Sequence, residues 1–175
     1  VNHNIRSGES ERDERIAQRI AELCVVEFKA VSVDVPGLAK KKNVSIESAA
    51  RQLRYEALSQ SVEMYSAHGV VTGHTLDDQA ETVLFRMVRG SGLRGLSGMS
   101  EYRDPGVWRP LLPFWRDEIT LYAQDVCLNW REDPTNREQR FTRNIIRNDV
   151  LPEIESRVAP AARRSLVRLA DLARE

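Results

Sequence analysis

The chain has 175 residues, 41% of them hydrophobic, and its 26 basic side chains balance its 26 acidic ones. The length suits one domain with at most the start of a second, and the composition argues against a disordered chain. The zero net charge removes any global electrostatic signal for a nucleic acid or a membrane.

Two cysteines, Cys24 and Cys127, lie far apart in apolar sequence and form no C-x-x-C pair. This pattern argues against a structural zinc or iron–sulfur centre and favours structural thiols in a reducing compartment. The sequence shows neither a signal peptide nor an apolar run long enough to span a membrane. A cytoplasmic protein is therefore predicted.

Strand and helix patterns alternate along the first two thirds of the chain. The patterns predict strands at 1–3, 25–35 and 69–73, a loop at 37–43, and helices over about 13–24, 45–68 and 77–89. Ser45 is the predicted N-cap of the second helix, and Gly90 ends the third. This alternation predicts an α/β fold with a doubly wound, mainly parallel sheet in residues 1–127, followed by an all-helical extension in residues 128–175.

The loop "GSGLRG" at 90–95 matches the G-x-G-x-x-G pattern of dinucleotide-binding turns. That pattern binds a pyrophosphate only when it joins a strand to the helix that follows, whereas here it follows a helix. A nicotinamide or flavin site is therefore disfavoured. The loop is predicted to be a plain helix end with a flexible connection, or an anion contact that uses Arg86, Arg89 and Arg94.

The strand-to-helix turn "GHTLDD" at 73–78 is the better place for a ligand, because ligands of such sheets bind at the carboxyl ends of the strands. Asp78 and Glu81 are three residues apart, which makes them neighbours on one helix flank and a cradle for an ammonium group or a metal ion. A capping box with Thr75 explains Asp78 equally well, and His74 alone is more often structural. A buried stripe is predicted at Ala80, Val83, Leu84, Met87 and Val88.

The same stretch resembles the signature of the tRNA(Ile)-lysidine synthetase family, which belongs to the PP-loop ATPases. The matching segments are "GHTLDDQAET" at 73–82 and "RMVRGSGLRGLSGM" at 86–99. Further segments fit the family in order along nearly the whole chain: "HNIR" at 3–6, "ESAARQLRY" at 47–55, "RPLL" at 109–112, "EDPTN" at 132–136 and "RNIIRNDVLP" at 143–152. The resemblance also implies an adenine nucleotide α-hydrolase-like fold.

The resemblance implies a reaction in which ATP adenylates the C2 oxygen of the wobble cytidine in the minor isoleucine tRNA, with its CAU anticodon. The ε-amine of free lysine then attacks C2, AMP leaves and lysidine forms. ATP, Mg²⁺, lysine and this tRNA are the implied cofactors and partners. The sequence leaves the oligomeric state open, with a homodimer among the options.

The resemblance assigns His74, Asp78 and Glu81 to the lysine site, with Asp78 and His74 as the catalytic candidates. The α-ammonium of lysine requires carboxylates, which agrees with the spacing argument. The candidates for contacts to ATP or tRNA are all cations or amides: Arg143, Asn144, Arg147, Arg89, Arg94, Arg51 and Arg54. For Arg51 and Arg54, the alternative interpretation is a solvated helix face with intrahelical pairing to Glu47.

The family's phosphate loop, S-G-G-x-D-S, does not occur in the sequence, and "HNIR" departs from the family's D-H-G-L-R at Asn2 and Asn4. We therefore expect a chain that lacks the first strand, the phosphate loop and its helix, and that is not active alone. Two alternatives are a cytidine thiolase of the same superfamily, for which a cysteine pair is missing, and a non-catalytic RNA-binding remnant.

Overall fold

The computed structural model describes residues 1, 9–128, 130 and 142–175. The chain divides into two compact units, one formed by residues 1–68 with 126–131 and the other by residues 69–125 with 132–175. The predicted strand at 1–3 and the segments "HNIR" and "EDPTN" fall wholly or mainly outside the described residues. The predicted domain boundary at 127/128 stays a prediction.

The first unit contains helices α1 (Glu9–Leu23), α2 (Val35–Lys42) and α3 (Ile46–Met64). A small core of Val35, Ala39 and Ala49 joins α2 to α3. The Ser45 hydroxyl accepts a hydrogen bond from the Ser48 N–H at 3.2 Å, so the predicted N-cap is confirmed.

The predictions for residues 25–43 were wrong. The predicted strand has only an isolated bridge at Ser32, and the predicted loop is helix α2. The Asp34 carboxylate accepts the Gly37 N–H at 2.9 Å, and Pro36 in the first turn has no N–H that needs a partner. The β-branched residues indicated a strand, but Asp34 and Pro36 at the end of that segment start a helix.

Both cysteines are exposed free thiols, which contradicts the expectation of structural thiols in apolar surroundings. Cys24 follows the end of the first helix, at Leu23, and Cys127 follows a helix that ends at Asp125. At such helix ends, apolar neighbours in sequence do not guarantee burial. Val25, next to Cys24, is 91% exposed. Hydrophobic neighbours therefore predicted the wrong environment.

The second unit contains a short mixed sheet of β1 (Val70–Val71), β2 (Tyr102–Arg103) and β3 (Val107–Trp108), in the order β1-β3-β2. Strand β1 pairs with β3 in parallel, and β2 pairs with β3 antiparallel. The strand predicted at 69–73 is therefore confirmed, although Val71 is exposed rather than buried.

The helices described in this unit are α4 (Leu76–Val88), α5 (Leu93–Leu96), α6 (Arg116–Asp125), α7 (Thr142–Ile145), a π-helical turn (Ile146–Val150), α8 (Leu151–Arg157) and α9 (Ala162–Leu172). The α4 residues Ala80, Val83 and Leu84 form one core with residues of the later helices: Ile146, Leu151, Leu166 and Ala170. Within the described ranges, no helix is both long and apolar enough to cross a bilayer.

The buried stripe predicted on α4 is correct only in its first half. Ala80, Val83 and Leu84 are buried, whereas Met87 is 45% and Val88 76% exposed. Helical periodicity identifies which face of a helix is apolar, but the length of that face that is covered depends on the neighbouring helices. The carboxylates Asp78 and Glu81 are instead buried at the other end of α4.

Candidate active site

The turn from β1 into α4 holds Asp78 in a fixed position. The Asp78 Oδ2 atom accepts hydrogen bonds from the Thr75 N–H at 2.8 Å and from the Thr75 hydroxyl at 3.2 Å. The backbone N–H of Leu76 bonds to the Phe114 carbonyl at 2.9 Å, which ties the start of α4 to the loop before α6. The capping interpretation of Asp78 is therefore correct for one of its two oxygens.

The second oxygen of Asp78 has a different role. Its Oδ1 atom lies 2.8 Å from Arg143 Nη2 and 3.0 Å from Arg147 Nη2. Capping and ion pairing therefore coexist on one carboxylate, so they are not alternatives.

Glu81 binds the same two arginines from one helical turn further along. Its Oε2 accepts Arg143 Nε at 2.7 Å, and its Oε1 accepts Arg147 Nε at 2.6 Å. Arg147 Nη2 adds a longer bond to Oε2 at 3.2 Å. We call Asp78, Glu81, Arg143 and Arg147 the charge cluster; with two carboxylates and two guanidiniums, it is neutral overall.

The charge cluster is mostly shielded from solvent on its acidic side. The Glu81 side chain is 2% exposed and that of Asp78 is 11%, against 21% for Arg147 and 39% for Arg143. Burial of a carboxylate is costly unless a cation and hydrogen bonds compensate, and the arginines supply both. Burial by itself lowers the pKa of Arg147, but the hydrogen bond and charge of Glu81, with the charge of Asp78, outweigh it and raise the pKa.

Two helical spacings bring the four residues together. Asp78 and Glu81 are three residues apart on α4, while Arg143 and Arg147 are four apart across α7 and the π-helical turn, so each pair shares a face. Ile146 and Leu151, on either side of Arg147, belong to the core that also contains Ala80 and Val83. The apolar core thus fixes the position along α4 at which the two arginines contact the carboxylates.

The other predicted residues of this region lie near the cluster in sequence. His74 is half buried, with its Nδ1 atom 2.8 Å from the Thr72 hydroxyl. Asn144 follows Arg143 in α7 and is also half buried.

The remaining cationic candidates lie on α3, on α5 and at the end of α4. Arg89 is exposed and stacks on the Phe85 ring at 5.1 Å, and Arg94 is exposed on α5. Arg51 and Arg54 are exposed on α3 in the first unit, where Arg51 stacks on Tyr55.

The glycine-rich loop, residues 90–99, is fastened by the side chains of Arg86, Gln79 and Arg174, and the sequence patterns did not predict this role for any of them. Arg86, expected as an anion contact, instead donates from Nη1 to the carbonyls of Gly95 at 2.7 Å and Gly98 at 3.0 Å. Gln79 and Arg174 bind further backbone groups of the loop. A glycine-rich loop beside a helix has many carbonyls that need donors, which is the signal that could have pointed to Arg86.

A cavity of about 520 Å³ opens beside the start of α4. Its lining carries both signs of charge, with Asp77, Glu118, Arg163 and Arg164 around Trp115. Asp77 accepts the backbone N–H of Arg116 at 2.8 Å, and Arg163 pairs with Glu155 at 3.3 Å. The sequence patterns did not predict this cavity, because its lining comes from four separate segments.

A metal ion was a second use predicted for the acidic pair. Among the described residues, no group of three or more histidine, cysteine, aspartate or glutamate side chains is arranged to hold one. Mg²⁺ that arrives with ATP is bound chiefly by phosphates and one or two carboxylates, so it does not require such a group. In this structure both carboxylates of the charge cluster bind arginine rather than a set of further metal-ligating side chains.

Comparisons with known proteins place the chain in a family. The PP-loop domain family matches residues 1–154. The chain is 37% identical to the tRNA(Ile)-lysidine synthase of Clostridioides difficile over 98% of this chain and 37% of that protein. It is also 37% identical to the enzyme of Chlorobaculum tepidum, over 99% of this chain and 52% of that protein. The chain thus spans about a third to a half of the curated relatives that it matches.

A solved structure supports the fold. A U34-tRNA thiolase from Methanococcus maripaludis matches 99% of this chain and 61% of its own, with a TM-score of 0.74 and 19% identity. At that identity the likeness shows the fold alone, and it agrees with the predicted α/β architecture of the adenine nucleotide α-hydrolase type. The chain belongs to the PP-loop domain family, whose members use ATP, and among curated proteins it resembles the tRNA(Ile)-lysidine synthases.

Proposed function

We propose that the full-length protein ligates lysine to C2 of the wobble cytidine in the minor isoleucine tRNA, with a CAU anticodon. ATP adenylates the C2 oxygen and releases pyrophosphate; the lysine ε-amine then forms the C2–N bond as the C2–O bond breaks and AMP leaves. The observation that carries the proposal is the buried Asp78–Glu81 pair beside the carboxyl end of β1. The many lysidine synthases among the relatives support the same reaction.

Asp78 and Glu81 are proposed to bind the α-ammonium of lysine, with His74 at the same site. Their oxygens already accept bonds from Arg143 and Arg147, so the ammonium must replace some guanidinium N–H donors. Arg143 is the more exposed of the two arginines and therefore the easier one to displace. Once displaced from the carboxylates, the Arg143 guanidinium faces solvent, where it binds a phosphate of ATP or tRNA.

Arg147, which the sequence analysis named as a contact to ATP or tRNA, is proposed here to stay bound to the two carboxylates instead. It is less exposed than Arg143 and bonds to both carboxylates, so it holds them in one geometry while lysine binds. Pre-organised charges of this kind cost little reorganisation during a reaction. The ε-amine must lose a proton before or during attack, and no residue is assigned to accept it.

ATP and Mg²⁺ are proposed as cofactor and metal of the reaction. Mg²⁺ would neutralise phosphate charge as the adenylate forms, and no step is assigned to a metal ligand of this chain. Asn144, Arg89, Arg94, Arg51 and Arg54 stay proposals for ATP or tRNA contact. The cytoplasmic location and the oligomeric state also stay predictions.

The thiolase alternative is supported by a shared fold only. Its solved representative is 19% identical to this chain, whereas curated lysidine synthases reach 42%. No observation in the described residues favours sulfur transfer over ligation. Ligation is therefore the function that the site supports best.

The test is incorporation of labelled lysine into an unmodified minor isoleucine tRNA transcript by the full-length protein, with and without ATP. ATP-dependent incorporation is expected, and Glu81→Gln should reduce it at least about 100-fold, because a neutral amide cannot balance an ammonium. Glu118→Gln, at the exposed start of α6, is the matched control and should keep full activity. Absence of ATP-dependent incorporation by the folded wild type would refute the proposal.

A further inference from the structure

Gln79 lies between the two carboxylates in sequence, but its amide binds the glycine-rich loop. Its Nε2 donates to the Met99 carbonyl at 3.1 Å, and its Oε1 accepts the Met99 N–H at 2.7 Å. The side chain is only 3% exposed. One helical turn of α4 therefore presents Asp78 and Glu81 to the arginines and Gln79 to the loop.

The loop is shaped to receive this amide. Gly98 has φ +68°, and a Cβ at that position would lie 2.6 Å from Gln79 Oε1. A residue with a side chain at position 98 would hold a strained backbone, and its Cβ would push the Gln79 amide from its present place. Gln79 and Gly98 thus form a matched contact.

Two arginines close the loop from other sides. Arg86 binds the carbonyls of Gly95 and Gly98, and Arg174 binds those of Ser97 at 3.1 Å and Met99 at 3.0 Å. The predicted flexible connection is therefore wrong, because α4 and the residues just after α9 both anchor the loop.

The anchored loop presents cations outward. Arg94 is exposed on α5, and Arg89 is exposed at the end of α4. Four carbonyls of the loop accept hydrogen bonds from Arg86 and Arg174, whereas the guanidinium of Arg94 is exposed to solvent. Exposed arginines on a rigid scaffold are suited to the phosphates of a nucleic acid backbone, whose contacts set register.

We infer that Gln79 is a positioning residue that holds the glycine-rich loop so that Arg94 contacts a tRNA backbone phosphate in register with Asp78 and Glu81. The inference rests on the proposed function for the identity of the RNA. Holding the loop in one conformation lowers the ordering cost of binding. Loosening it should weaken tRNA binding without changing the lysine site.

The experiment is a double-mutant cycle on the full-length protein with Gln79→Met, Arg94→Ala and both together. The affinity for the minor isoleucine tRNA transcript is measured directly over a range of salt concentrations, and the KM for lysine is measured in the ligation assay. Gln124→Met, at an exposed glutamine of α6, is the matched control. Direct binding does not need catalysis, so this test is separate from that of the proposed function.

Each single variant should weaken tRNA binding about tenfold and lower the salt slope by about one phosphate contact. The lysine KM of Gln79→Met should stay within about twofold of wild type. The double variant should bind no more weakly than Arg94→Ala, because residues that act through one contact are not additive. A purely structural role of Gln79 would give additive losses.

Additive losses, or unchanged tRNA affinity in Gln79→Met, would overturn the inference. If Gln79→Met does not fold, as judged by thermal unfolding, Gly98→Ala and Arg174→Met loosen the loop from other sides. Each of these variants should lower the affinity for tRNA by about as much as expected for Gln79→Met. Neither should lower it further in a protein that already carries Arg94→Ala. Normal tRNA binding together with absent ligation would refute the proposed function and leave this inference intact.

Discussion

Helices α4 and α6 begin with the same acidic pattern and differ in what surrounds it. Asp77 and Asp78 open α4, and Asp117 and Glu118 open α6. In each helix the second acid accepts the N–H of the residue three before it, Asp78 from Thr75 at 2.8 Å and Glu118 from Trp115 at 2.7 Å. Both carboxylates are therefore caps.

The difference lies in the second partner. Asp78 is buried and also binds Arg143 and Arg147, whereas Glu118 is exposed. A carboxylate in a first helical turn is explained by capping and the helix dipole alone. The comparison teaches that an acidic first turn becomes a candidate site where the fold buries the carboxylate and supplies cations to pair with it.

The largest difference between the two helix starts is expected in activity. Asp78→Asn keeps an oxygen that can cap Thr75 but removes the charge, so the proposed lysine ligation should fall at least about 100-fold in kcat/KM. Glu118→Gln should change kcat/KM by less than about twofold. Equal effects of the two changes on labelled-lysine incorporation would contradict the distinction.

The next effect is on stability and concerns Arg147. Arg147→Met leaves buried Glu81 with one fewer cation, so the free energy of unfolding should fall by about 3 kcal/mol, measured by urea denaturation. Arg168→Met, at an exposed position of α9, is the control and should change it by less than about 0.5 kcal/mol. A similar loss for both variants would show that Arg147 is not holding the carboxylates.

The pH dependence of that contribution follows from the raised pKa of Arg147. A cation whose pKa is raised on folding contributes its full stability below its unfolded pKa and loses it only as pH rises through the higher folded value. For a guanidinium both values are strongly alkaline, so the difference between wild type and Arg147→Met should stay constant between about pH 6 and 9. If that difference in unfolding free energy changed with pH near neutrality, the stability would not come from the charge of Arg147.

Arg143 tests whether the two arginines are equivalent. Its side chain is 39% exposed, so solvent screens its pairs and Arg143→Met should cost only about 1 kcal/mol of unfolding free energy. If Arg143 is the displaceable cation, Arg143→Met should lower the binding free energy for ATP or tRNA by more than it lowers the free energy of unfolding. A stability loss as large as that of Arg147→Met would show that both arginines are equally fixed.

The smallest effect belongs to an exposed ion pair in the same unit. Arg157 and Glu153 lie four residues apart on α8, with side chains 76% and 59% exposed. Arg157→Ala should change the free energy of unfolding by less than about 0.5 kcal/mol, because exposed pairs are screened. A larger loss would mean that distance rather than burial sets the strength of these pairs.

The local signals in the sequence were accurate at the starts of α3 and α4 and in the strand before α4, although not over residues 25–43. Ser45 caps α3, Thr75 and Asp78 cap α4, and the strand at 69–73 precedes that helix. Such features depend on hydrogen bonds within a few residues, so their pattern is already present in the chain. The motifs also determined the family, because their order along the sequence does not depend on coordinates.

The interactions that define the candidate site were decided by tertiary structure. Arg143 and Arg147 reach Asp78 and Glu81 across more than 60 residues, and no local pattern states which cations will do so. The exposure of Met87 and Val88 likewise depends on where the neighbouring helices end. A sequence determines which faces and charges each helix carries, whereas packing decides which of them are taken out of water, because burial requires a partner from elsewhere in the chain.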